Sequence, residues 1–447
     1  MTTPIADFVR RYAEGGMTRF HMPGHKGRSF LGCESLDITE VAGADVLYAP
    51  DGIIAESEEN ATALFGSAHT FYSAEGSTLC VKAMLALVAA GRGDRPWILA
   101  ARNAHKSLIY AAAMLDLRIR WLDSEEDDHI CRCLVTAADV ERALADMEEK
   151  PCAVYLTSPD YLGSLSDLRG ISETCRAYGI PLLVDNAHGA YLKFLKPSLH
   201  PLDLGAAMCC DSAHKTLPVL TGGAYLHVAK GYEEYLGGAR GFLSLFASTS
   251  PSYLILQSLD LCNRYLSEGY GERLALRCGE TTSLKERISA LGFSVFESEP
   301  LKLTICARSV GYTGDELAEY LRQRRIECEF SDRDWLVLMI TPENTKEEME
   351  GLIRALSELP FRSPIPRETF PLRIGRAKTS ERIREGLLAP RRTVAVTEAE
   401  GCVCAAPTVS CPPAIPIAVS GDVIKKEDVE LFLRYGIETV DVLLLSE

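Results

Sequence analysis

Ala206-Ala-Met-Cys-Cys-Asp-Ser-Ala-His-Lys-Thr-Leu-Pro218 runs from a small apolar segment straight into polar residues that include a lysine. A buried strand over Ala207–Asp211 that delivers Ser212, His214 and Lys215 to its carboxyl end is the simplest way to fold it. Upstream, Pro181-Leu-Leu-Val-Asp-Asn-Ala-His188 repeats the pattern with an acid, an apolar strand that empties into Asp185. Two strands presenting an acid and a lysine at one edge of a sheet put them where open α/β folds bind ligands. A lysine so placed can form a Schiff base, and a buried acid can hold a pyridinium nitrogen protonated. Together these are the protein contacts of pyridoxal phosphate. Each residue alone has a plainer reading, Asp185 as a helix cap and Lys215 as a solvated loop residue. The rest of the chain has to decide.

The chain has 447 residues, enough for two or three domains with a large core. Hydrophobic residues make up 47% and charged residues 24%, ordinary for a globular protein. A net charge of -15 with no lysine/arginine-rich tract argues against nucleic acid as a partner. Apolar runs such as Ala83 to Ala90 are too short to span a bilayer, and Met1-Thr-Thr-Pro-Ile-Ala-Asp7 lacks the pattern of a signal peptide. The fifteen cysteines form no CxxC pair, and Cys131/Cys133, Cys209/Cys210 and Cys402/Cys404 lack zinc-site spacing. Several sit inside apolar runs, where they behave as small hydrophobes in a reducing compartment. The expected location is cytoplasmic. His21 and His25 have a helical metal-ligand spacing, but Pro23-Gly24 removes the helix, so no metal is expected.

From Ser67 onward strand and helix patterns alternate, which favours a mainly parallel sheet covered by helices. The expected strands are Trp97–Ala101, Ile119–Leu122, Ala153–Thr157, Leu182–Asp185, Ala207–Asp211 and Ala224–Val228. The expected helices are Ile5–Glu14, Ile54–Phe65, Thr78–Ala90, Ser107–Leu115, Ala137–Glu149 and Leu168–Ala177. A long helix over Ser252–Leu266 leads to a smaller α/β unit, and the prolines from Pro360 to Pro371 mark a boundary. The domain reading is an N-terminal segment 1–50, a major domain 51–265, a small α/β domain 266–365 and a C-terminal domain 366–447.

Ala74-Glu-Gly-Ser-Thr78 precedes an apolar helix, and a glycine followed by two hydroxyl residues at a helix start is suited to a phosphate. Equally, Ser77 or Thr78 is a plain N-cap. Asn103-Ala-His-Lys-Ser107 follows another strand, so His105 also sits at a strand's carboxyl end, where its ring could lie on a cofactor. One phosphate cup, one flat ring, one acid and one lysine from four strand ends strengthen the cofactor reading.

The chain resembles the ornithine/lysine/arginine decarboxylase family of fold type I pyridoxal-phosphate enzymes. The residues that carry the likeness are Phe20-His-Met-Pro-Gly-His-Lys-Gly27, Phe71-Tyr-Ser-Ala-Glu-Gly-Ser-Thr78, Asn103-Ala-His-Lys-Ser107, Val184-Asp-Asn-Ala-His188 and Ser212-Ala-His-Lys-Thr216. The resemblance implies an aspartate aminotransferase-like large domain and a smaller C-terminal α/β domain. It makes Lys215 the cofactor lysine, Asp185 the partner of the pyridine nitrogen, and His105 and Ala187 the groups on the ring's two faces. Gly76, Ser77, Thr78, Ser212 and His214 would surround the phosphate, with His188 also in the cofactor site, and Lys215 or His214 as proton donor. Ser248-Thr249-Ser250-Pro251 matches a position that reaches the neighbouring subunit's phosphate, which implies a homodimer with shared sites.

Two departures stand out. The chain resembles a short form without the family's regulator-like N-terminal domain. Near its end, Cys411-Pro-Pro-Ala-Ile-Pro416 and Ser420-Gly-Asp422 replace the family's Tyr-Pro-Pro-Gly-Ile-Pro and Pro-Gly-Glu, which leaves Asp422 to meet the substrate's distal cation. The expected activity is decarboxylation of arginine, lysine or ornithine in polyamine synthesis. Transamination or elimination on the same scaffold and a non-catalytic cofactor-binding protein are the alternatives.

Overall fold

A computed structural model describes residues 1–122, 124, 129–366, 379–409 and 414–444. Two readings run outside the described residues: the boundary at Pro360 to Pro371 beyond Pro366, and Cys411-Pro-Pro413 of the C-terminal motif. The chain divides into two compact units, one of Met1–Arg92 with Cys175–Glu272, the other of Gly93–Thr174 with Arg273–Glu447.

In chain order the elements begin with α1 (Pro4–Glu14), α2 (Ile53–Phe65), β1 (His69–Ser73), α3 (Gly76–Ala89), β2 (Trp97–Ala101) and α4 (Lys106–Leu115). They continue with β3 (Arg118–Leu122), α5 (Ala137–Ala145), β4 (Val154–Thr157), α6 (Leu168–Tyr178), β5 (Leu182–Asp185), β6 (Met208–Asp211), the single turn α7 (Ala213–Thr216) and β7 (Ala224–Val228). In the first unit β5 and β6 run parallel, while β7 is antiparallel to β6 and β1 antiparallel to β7. In the second unit β2 runs parallel to both β3 and β4, with Thr379–Ser380 antiparallel on β3. Every residue of β5 and β6 is buried, as expected of strands covered on both faces.

The expected parallel arrangement therefore holds for the strands that deliver the acid and the lysine, but not for β7, which runs opposite to both of its neighbours β6 and β1. The turn at Gly222-Gly223 sends β7 back beside β6. Gly222 has φ +100, and a Cβ there would stand 3.0 Å from the Ala74 carbonyl oxygen, so the turn requires glycine. Helix α5 stops at Ala145 rather than Glu149, because Met147 is the lone apolar residue between Asp146 and Lys150 and extends no buried stripe.

In the second unit, Ser294–Phe296, Lys302–Cys306, Trp335–Met339 and Phe330–Ser331 form an antiparallel four-stranded sheet. Leu303, Ile305, Leu336 and Leu338 of this sheet pack with Leu317, Leu321, Leu352 and Leu356 from its helices. Val337 and Trp335 belong to a separate core with Val394, Ile417 and Phe432. Among the described residues no helix is long and apolar enough to cross a membrane.

Candidate active site

Asp185 ends β5 directly beside Cys210 of β6 and is almost wholly buried. Its Oδ1 accepts the Ala187 N–H at 3.2 Å and the Cys210 thiol at 3.7 Å. The carboxylate thus orders the loop that follows β5. After β6 the chain makes the one turn of α7, and Lys215 Nζ lies 2.9 Å from His188 Nε2, on the loop after β5. The acid, His188 and the lysine are brought together by two neighbouring strands. The role of His188 as the lysine's neighbour was not readable from spacing, because 27 residues separate the two.

Beside them, Ser212 Oγ donates to Ser77 Oγ at 2.8 Å. His214 Nδ1 is 3.0 Å from the Gly223 carbonyl oxygen, and the Gly76 N–H donates to the Gly222 carbonyl at 2.7 Å. The start of α3, the turn before β7 and the lysine turn are therefore tied to one another. Ser77 and Thr78 are not N-caps. The cap position belongs to Glu75, whose side chain makes no capping bond, and Gly76, Ser77 and Thr78 open the helix. Among the described residues no side chain closes this fourteen-residue helix at its positive end, and Gly76 takes φ +72 with open space beside it. Glu75 instead accepts the Ser248 N–H at 2.6 Å, and Ser248 Oγ accepts the Ser250 N–H at 3.1 Å. This joins the exposed segment with Ser248 and Thr249 to the loop before α3.

His105 and Asp422 belong to the second unit. His105 is the N-cap of α4, its Nδ1 accepting the Ser107 N–H at 3.2 Å and lying 2.9 Å from Ser107 Oγ. The next N–H, of Lys106, donates to the Ala414 carbonyl at 2.9 Å. Arg102 donates to the carbonyls of Pro416 at 2.7 Å and Ile417 at 2.8 Å, so the C-terminal segment is seated on the end of β2. Asp422 accepts from Ser380 Oγ at 2.8 Å, and Ser380 Oγ accepts from Trp121 Nε1 at 2.9 Å. Burial raises the Asp422 carboxyl to about 6, against the Ser380 hydrogen bond and the charge of Arg102.

An acid at the end of one strand and a lysine in the turn after its parallel neighbour, with an uncapped helix start beside them, belong to the fold type I pyridoxal-phosphate class. The constitutive lysine decarboxylase of E. coli shares this fold, with a TM-score of 0.76 at 19% identity over 99% of this chain and 82% of that one. The profile of the Orn/Lys/Arg decarboxylase major domain matches residues 3–298. Arginine decarboxylase of Bacillus subtilis is 28% identical over 97% of this chain and 93% of its own length. The uncharacterized protein YaaO of the same organism is 31% identical over 97% and 94%. The chain belongs to the Orn/Lys/Arg decarboxylase family and is an amino-acid decarboxylase.

Proposed function

We propose that the protein decarboxylates a basic amino acid, arginine, lysine or ornithine, with pyridoxal phosphate held at Lys215. The observation that carries this is the pairing of Asp185 and the Lys215–His188 contact at the ends of β5 and β6, beside the uncapped start of α3. These residues suit the cofactor. The Gly76, Ser77 and Thr78 end of α3, with Ser212 and His214, would hold the phosphate. Asp185 would keep the pyridine nitrogen protonated, and Ala187 and His105 would flank the ring. When bound, the cofactor supplies an electron sink for the charge left as carbon dioxide departs.

His188 is placed to hold or take a proton at Lys215 Nζ. His214 Nδ1 lies 3.0 Å from the Gly223 carbonyl, and its ring would stand beside the phosphate or the substrate. Asp422 would meet the distal cation of the substrate, since an unpaired charge in a closed site is costly. The relatives' name, arginine decarboxylase, supports the basic substrate. The product is then an amine of the polyamine class, made in the cytoplasm by a homodimer in which Ser248 or Thr249 reaches the partner's phosphate. The test is borohydride reduction of the cofactor-loaded protein followed by peptide mapping. The label is expected on Lys215, and its appearance on another lysine would remove Lys215 from this role.

A further inference from the structure

Strand β6 carries a second carboxylate, on the face of the sheet away from Asp185. Cys210 shares a face with Asp185, so the next residues, Asp211 and Asn186, point the other way. Asp211 is fully buried, as are Asn186, His200 and His227. Asn186 Nδ2 donates to Asp211 Oδ1 at 2.7 Å, and His200 Nε2 and His227 Nε2 each lie 3.1 Å from Oδ2.

The outer ring nitrogens fix the proton positions. The Leu202 N–H donates to His200 Nδ1 at 3.4 Å, so the His200 proton sits on Nε2. His227 Nδ1 is 2.9 Å from Thr70 Oγ1, which is 2.8 Å from Ser67 Oγ. Burial holds His227 below its ordinary pKa despite the pull of Asp211, so this ring is neutral and presents Nε2–H. Burial also works to raise the pKa of Asp211, but the two imidazoles outweigh it and the carboxyl is held well below its usual range.

Three N–H donors therefore converge on one carboxylate, and they come from different parts of the chain. Asn186 follows Asp185 directly, His200 lies between β5 and β6, and His227 is on β7. Asp211 itself leads into Ser212 and the turn that carries Lys215.

We propose that Asp211 is a positioning residue, which through Asn186 fixes the ends of β5 and β6 and so sets Asp185 relative to Lys215. This rests on the reading of Lys215 as the cofactor lysine. The cluster also has a metal-like look, since His200, Cys209 and Asp211 offer ligand atoms within 4.8 Å of one another. With both histidine Nε2 atoms protonated, neither has a lone pair for a metal there. Burial and the neighbouring Asp211 push the Cys209 thiol up, so it stays protonated.

Asn186→Ala cuts the bridge and leaves both histidines on Asp211. It is expected to fold and to take up pyridoxal phosphate. Its kcat should fall about 10- to 100-fold, with KM changed far less, because a small misplacement of a reacting group costs that much. The pH midpoint of its visible absorption band should also shift. Asp211→Asn, by contrast, is expected to keep the wild-type midpoint. Its amide oxygen can accept from both histidines, and its amide nitrogen can donate to a turned Asn186, whose Oδ1 has no partner among the described residues. If Asn186→Ala does not fold, Asn186→Ser carries the same expectation.

A wild-type kcat and midpoint in Asn186→Ala would overturn the proposal while the cofactor reading stood. Wild-type protein that gained no visible band with pyridoxal phosphate would overturn both. One equivalent of metal in the wild type, lost in Asp211→Asn, would overturn the hydrogen-bond assignment on which the proposal stands.

Discussion

Asp422 is the residue proposed to meet the substrate's distal cation. Its carboxyl is raised to about 6 by burial, so it is charged above that pH and neutral below it. Only the charged form can meet a substrate cation. The free enzyme's kcat/KM on arginine, lysine or ornithine is therefore expected to fall as pH drops through about 6. Asp422→Asn should lose both this acid limb and most of the activity on the basic substrate. Persistence of the limb at full amplitude in Asp422→Asn would assign it to another group. At this scale the placement of Asp185 and Lys215 was legible, because a short apolar run before each is most simply read as a strand. Asp211, Asn186, His200 and His227 were not. Their hydrogen bonds join residues 11 to 25 positions apart across a sheet face, and no periodicity in the chain marks such a cluster.

Among the elements, the segment from Ala414 to Asp422 carries an identifiable strain. Ala414 has φ +59, in the left-handed region, where the resembled family motif has glycine. Its carbonyl holds the Lys106 N–H at the start of α4, beside His105, so the backbone cannot relax freely. The left-handed conformation costs alanine about 1–2 kcal/mol, while glycine's extra freedom in the unfolded chain returns roughly 0.5–1 kcal/mol. Ala414→Gly is expected to stabilise the fold by about 0.5–1 kcal/mol, read as a higher denaturant midpoint. A lower midpoint would show that the position is not strained.

Element boundaries read from sequence were good for several of the apolar strands. Trp97–Ala101, Leu182–Asp185 and Ala224–Val228 fall on their observed ends. They failed where glycine interrupts a helix. The helix Leu236–Phe246 contains Gly237, Gly238 and Gly241 and was missed. Strand β1 was missed as a strand because His69-Thr-Phe-Tyr-Ser73 is a short run with polar ends, and its pairing with β7 decides its form.

At the scale of the whole molecule, the loop around the His-Met-Pro-Gly motif bears on the proposed homodimer. Phe20, Met22, Phe30 and Leu31 are 93%, 65%, 81% and 89% exposed. The loop is nonetheless held in shape. Glu34 accepts the N–H groups of Phe30 and Gly32 at 2.7 and 2.9 Å, and Arg19 donates to the Ser35 carbonyl at 2.6 Å. A fixed loop showing four large apolar side chains is expected to be covered by a partner. Light scattering should therefore give a dimer or larger species, and Phe30→Asp with Leu31→Asp should dissociate it. A fully active monomer would contradict the shared-site reading.

The most direct test of the account is product analysis. The protein is loaded with pyridoxal phosphate and incubated separately with arginine, lysine and ornithine, each labelled at the carboxyl carbon. Labelled carbon dioxide and the matching amine are expected in equal amounts from at least one of the three. A keto acid in place of the amine, or no carbon dioxide from any of them, would contradict it.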